Sequence, residues 1–172
     1  MNTYLRPVST LVICAYFWNY LSTYTDWHFI DGVDLIFHEA GHTIFSFCNE
    51  FIYILAGSAF QIILPLSIAV YFFMSQQKLS GSLCLLWVGQ NVLNVSIYAG
   101  DAVAMQLPLL GGDSSIHDWH YILSTLLALQ YTNKVASFLY IIGVLCIIIG
   151  SVLSMYYALQ KEEGIQQFAR SH

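Results

Sequence analysis

Residues 51–77 read FIYILAGSAFQIILPLSIAVYFFMSQQ. No charge interrupts them, and the run exceeds the roughly 20 residues a helix needs to cross the hydrocarbon core of a bilayer. Four further stretches are equally free of Asp, Glu, Lys and Arg: 7–25, 79–100, 119–133 and 135–160. In lipid every backbone polar group must be satisfied within the protein, so runs of this kind are expected to be helices. The expected fold class is therefore all-α, a polytopic membrane helix bundle of about six transmembrane segments. Charged residues make up only 9% of the 172, against roughly 25% in an ordinary soluble domain. That length suits a single integral membrane domain over residues 1–160 and a short polar tail over 161–172. Five Lys+Arg against ten Asp+Glu give a net charge of −5, which excludes a nucleic-acid partner. The four cysteines form no CxxC and lie in or beside apolar stretches, so they read as free thiols.

Working outward from 51–77, the expected spans are roughly 8–25, 33–48, 58–75, 81–106, 119–132 and 135–159. Residues 25–34 (Thr-Asp-Trp-His-Phe-Ile-Asp-Gly-Val-Asp) read as a wet, acidic connection. Residues 49–58, opening on Asn49-Glu50 and closing on Gly57-Ser58, read as a hairpin or re-entrant loop. Residues 107–113 (Leu-Pro-Leu-Leu-Gly-Gly-Asp) carry clear turn chemistry.

The second span contains His38-Glu39-Ala40-Gly41-His42, an HExxH motif. Residues four apart on a helix lie one above the other, so both imidazoles can hold one Zn²⁺. Glu39, turned around the helix, can reach water in the metal's open position and act as general base. Ionisable groups inside a span are costly and mark function by default.

A catalytic zinc normally takes three protein ligands. The fourth span carries Gln90, Asn91, Asn94, Tyr98 and Asp101 at intervals of three and four, one polar stripe that must face the bundle interior. Asp101 is its only anion and the expected third ligand. A second cluster, Asp113 to His120, offers His117, Asp118 and His120. These read as groups that orient an imidazole or bind the metal directly, or as the capped start of the fifth span.

The order of these parts resembles the site-2 protease family of intramembrane zinc metalloproteases. The resemblance covers residues 33–106 and rests on His38-Glu39-Ala40-Gly41-His42, a following loop and span, then Asn91 or Asn94 with Asp101. It implies zinc held by His38, His42 and Asp101, with Glu39 as catalytic base and an Asn holding substrate backbone extended. It also implies a transmembrane protein as substrate, within membrane lipid. The family's usual Leu-Asp-Gly segment is replaced here by Ala99-Gly100-Asp101-Ala102. The second and fourth spans should run in the same direction, with His38 near the start of one and Asp101 about 20 residues, roughly 30 Å, into the other. The shared ligand set therefore requires that the fourth span start late or break near Gly89 or Gly100, or that the second be displaced in depth; otherwise Asp101 is not the ligand.

The function expected is an intramembrane zinc metalloprotease that hydrolyses a peptide bond with metal-activated water. The alternatives are a membrane zinc hydrolase of lipid amides, and a non-catalytic metal-dependent scaffold. The expected setting is a bacterial inner membrane. Substrate identity and oligomeric state are not legible in the sequence.

Overall fold

The computed structural model describes residues 5–107 and 117–160. These form six α-helices: α1 (Leu5–Ser22), α2 (Phe29–Ile44), α3 (Glu50–Met74), α4 (Lys78–Gly100), α5 (Asp118–Thr125) and α6 (Thr132–Leu159), the last preceded by a 3₁₀ turn at Leu129–Tyr131. Among the described residues there is no strand. The all-α expectation is met. Three segments are long and apolar enough to cross a membrane: Glu50–Met74, Lys78–Gly100 and Leu129–Leu159. The turn-rich residues 108–113 and the tail 161–172 lie outside the described residues.

Several boundaries differ from expectation: α2 ends at Ile44 and α4 at Gly100, and the expected fifth span, 119–132, holds the eight-residue α5, which is too short to cross a bilayer. Two more differences bear on the site. Residues 50–58 are not a loop but the first turns of α3. Asn49 is the reason: its side chain accepts a hydrogen bond from the Ile52 amide at 3.0 Å and caps the helix, so Glu50 falls in a first turn that favours an anion. The helix then runs unbroken through the buried Pro65. Residues 29–34 are likewise helical rather than a wet connection, and Asp31 and Asp34 are buried at 3% and 0% exposure. Donors supplied by α1 and α4 satisfy both carboxylates, so the two acids are interior groups.

The largest interface lies between α4 and α6, and small residues set it. A methyl group on Gly143 would lie 2.7 Å from the Leu93 side chain and 2.9 Å from the Gly89 carbonyl. Backbones can approach this closely only where Cβ is missing. Leu86, Leu93 and Ile147 then close the core with Cys14, Phe17 and Tyr20 from α1. All four cysteines are free.

The register of the short helices decides where the site lies. Along α6, Gly143 meets Gly89 and Gly150 meets Ser82 and Leu86, so α4 and α6 are antiparallel. Cys14 contacts Ser154, Trp18 contacts Ser151 and Tyr24 stacks near Tyr140, so α1 also opposes α6. It therefore flanks the first half of α4 and ends level with its middle. On the other side, His42 meets Tyr53 and His38 meets Gln61, so α2 is antiparallel to α3 and points the same way as α4. Asp31, near the start of α2, bonds Gln90 and Asn94. Helix α2 thus begins level with the middle of α4 and covers only its second half. Helix α2 is displaced in depth relative to α4, so that His38 lies level with Tyr98, near the end of α4.

Candidate metal centre

Helix α2 places His38 and His42 one turn apart, with ring centroids 4.9 Å from each other. In each ring Nδ1 is engaged away from the centre. His38 Nδ1 lies 3.2 Å from Gln61 Oε1, and His42 Nδ1 donates to the Tyr53 carbonyl at 2.8 Å. Both Nε2 atoms therefore face the same space, and Asp118 Oδ2 stands in it, 2.8 Å from His38 Nε2 and 3.2 Å from His42 Nε2. The ligating atoms of these three residues all lie within 4.8 Å of one another. Two imidazole nitrogens and one carboxylate oxygen are a donor set that suits zinc, and three protein ligands leave a fourth position for water.

Space for the centre comes from a missing side chain. Gly57 on α3 faces the two rings, and a methyl group there would lie 2.5 Å from His42 Nε2 and 2.7 Å from His38 Nε2. Gly41 serves the same approach one helix away, since its Cβ would overlap the Ala56 carbonyl. Without these two glycines α2 could not lie close enough to α3 to present both rings.

Asp118 is delivered by α5, whose first turn is tied down at several points. His117 caps the helix, its Nδ1 accepting from the His120 amide at 3.3 Å. The Asp118 amide donates to Tyr98 Oη at 3.1 Å, Trp119 Nε1 donates to Ser58 Oγ at 3.1 Å, and His120 Nδ1 donates to the Ala102 carbonyl at 2.8 Å. Burial works to raise the Asp118 carboxyl, but hydrogen bonds and charge from His38 and His42 outweigh it and hold the group below the ordinary carboxylate range.

Asp101 stands elsewhere. It caps the C-terminus of α4, and its carboxylate accepts from the Gln106 and Leu107 amides at 3.0 and 2.9 Å and faces His117 Nε2 at 3.1 Å. Burial works to raise this carboxyl too, but the two amides and His117 outweigh it and lower it. The structure brings Asp118, rather than Asp101, against the two imidazoles. Asp101 holds His117, the residue next to Asp118, and so acts on the centre from one step behind.

The remaining candidates divide. Glu39 is exposed on α2 and lines a cavity of about 860 Å³ together with His38, His42, Asp118, Asn94 and Tyr98. Tyr98 packs its ring 4.5 Å from His117 and 5.8 Å from His38. Asn91 is fully buried and turned to the Trp87 carbonyl, away from the cavity. His120 braces α5. Gln61, which faces His38 Nδ1, was not among the residues expected at the site. Its signal was available: it is the sole amide in the apolar run of α3, where an unsatisfied polar group would be costly.

A comparison with protein families, curated proteins and solved structures found no match. The functional reading therefore rests on the residues themselves.

Proposed function

We propose that this protein is a membrane-embedded zinc metallopeptidase in which His38, His42 and Asp118 hold the metal and Glu39 is the general base. The observation that supports this reading is the meeting of an HExxH helix with a third, carboxylate ligand at the wall of an open cavity that Glu39 also lines. The resemblance to site-2 proteases points to the same chemistry, with Asp118 taking the place of Asp101 in the ligand set.

A zinc ion bound there supplies a Lewis acid that activates water and polarises a carbonyl. Glu39 lies one residue from His38 and is bonded to no other side chain among the described residues, so its carboxylate is free to take a proton from the attacking water. It then returns that proton to the leaving amine. Tyr98 lies on the cavity wall, where its hydroxyl can hold an extended peptide. The bundle suits a substrate that is itself in the membrane, since α3, α4 and α6 are long and apolar enough to span it.

Among the described residues the cavity offers no cationic side chain of Lys or Arg to a headgroup phosphate, and Asp26, Asp31, Glu39 and Asp118 line it.

The test compares purified wild type with Glu39→Gln, with bound zinc measured in both. The expected result is cleavage of a transmembrane-helix substrate by the wild type, a fall of about 10²–10⁴-fold in Glu39→Gln, and equal zinc in both. Equal cleavage by the two proteins overturns the mechanism. Turnover of lipid amides without peptide cleavage would assign the lipid hydrolase instead. Unchanged cellular function in Glu39→Gln would assign a non-catalytic metal site.

A further inference from the structure

The two imidazoles of the centre are oriented by different means. His42 gives its Nδ1 proton to a backbone carbonyl, that of Tyr53, which can only accept. His38 meets a side-chain amide, Gln61, which by itself can present either oxygen or nitrogen. Something beyond Gln61 must fix which.

The hydrogen bonds continue past it. Gln61 Nε2 lies 2.9 Å from Asn94 Oδ1, and Asn94 Nδ2 lies 3.1 Å from Asp31 Oδ1. Asp31 is 3% exposed and is surrounded by donors. The His28 backbone amide, which can only donate, reaches Oδ2 at 2.7 Å, and Tyr20 Oη and Gln90 Nε2 reach Oδ1 at 2.8 and 3.1 Å. With its oxygens held as acceptors, Asp31 compels Asn94 to present NH₂. Asn94 then presents oxygen to Gln61, Gln61 presents NH₂ to Asn94, and its remaining oxygen faces His38. Each amide passes the same polarity one step on.

We infer that Asp31, Asn94 and Gln61 form a positioning relay that holds the His38 proton on Nδ1 and so keeps the Nε2 lone pair aimed at the metal. This rests on the metal reading above. The relay leaves α2 at His38, crosses to α3 at Gln61 and to α4 at Asn94, and returns to α2 at Asp31, two turns before it started. It gives the buried Asp31 a purpose that a second cation site does not. Asp31 and Asp34 are faced by donors, with Trp87 and Gln90 donating to Asp34, and a cation would require acceptors there.

The relay predicts measurable behaviour at His38. In zinc-loaded protein with ¹⁵N-labelled histidine, His38 should show a metal-bound Nε2 and a protonated Nδ1. Gln61→Leu, which removes the acceptor, should weaken zinc binding by about 10–100-fold, the range typical of groups that orient a metal-bound histidine. Gln61→Glu keeps an acceptor in place and should recover most of that loss, which a mere packing role would not produce. Asp31→Asn removes the group that sets the polarity and should weaken zinc in the same direction. Ligation of zinc through His38 Nδ1 in the wild type overturns the relay even if every variant fails to fold. So does wild-type zinc affinity in both Gln61→Leu and Asp31→Asn. A wild type that binds no zinc overturns the metal reading itself, a distinct failure.

Discussion

Replacing Gly57 with alanine adds a single methyl group and should abolish zinc binding at the proposed centre. The group would be placed 2.5 Å from His42 Nε2 and 2.7 Å from His38 Nε2, where ordinary van der Waals contact begins at 3.4 Å. The shortfalls are about 0.9 and 0.7 Å, and they fall on the two atoms proposed to bind zinc. Helix α3 cannot retreat easily, because it is packed along α4 as well as α2 and is bonded to α4 through Gln61 and Asn94. The rings must therefore rotate. His42 then gives up the 2.8 Å bond to the Tyr53 carbonyl, and His38 its contact with Gln61. Overpacking of this kind costs about 1–3 kcal/mol of stability. Zinc binding should suffer more, because two of three ligands are displaced and the methyl group occupies the space in front of them. The assay is zinc stoichiometry and affinity by chelator competition, run beside thermal unfolding. Gly100→Ala is the control, since its nearest neighbour would be the Ala136 Cβ at 3.4 Å. The expected outcome is a folded, zinc-free Gly57→Ala and a zinc-replete Gly100→Ala. Wild-type zinc affinity in Gly57→Ala would refute the placement of the centre between α2 and α3.

Three further outcomes are expected. Asp118→Ala should lower zinc affinity by more than the ~10–100-fold that follows loss of a group behind a ligand, whereas Asp101→Ala, which acts only through His117, should stay within that range; isothermal titration would separate them, and the reverse order would return Asp101 to the ligand set. Gly143→Val should overpack the α4–α6 seam, lowering stability by about 1–3 kcal/mol while zinc stoichiometry at saturation is unchanged, as read by denaturation and metal analysis. Asp101→Asn should be less stable than wild type at neutral pH. Because the folded carboxyl is lowered, its stabilisation is present above the unfolded pKa of about 3.9 and disappears as pH falls through the folded value, so the two denaturation curves should converge in acid.

Much of this architecture could be read before any coordinates. Charge-free runs identify helices because lipid and protein interiors both forbid unsatisfied backbone. The four-residue spacing of His38 and His42 places two rings on one face by helix geometry alone. The stripe from Gln90 to Tyr98 had to face inward for the same reason, and Gln90 and Asn91 are fully buried. These are local rules, with every interacting group within a few residues or within one helix.

The third ligand and the depth of the site follow no local rule. Asp101 ends the polar stripe of the fourth span and Asp118 stands between His117 and His120, and nothing within either segment says which one meets α2. The choice depends on α5 docking its first turn against Tyr98, Ser58 and Ala102, contacts contributed by two other helices and a loop. Asp31 and Asp34 looked like loop acids because acids normally seek water. Only the arrival of Tyr20 and Gln90 from distant parts of the chain makes their burial tolerable. The sequence by itself determined a helical bundle and a pair of histidines on one helix face, spaced to share a metal. Tertiary packing decided which carboxylate completes that pair, because a ligand set is a matter of distance in space, and helix offset and docking set those distances.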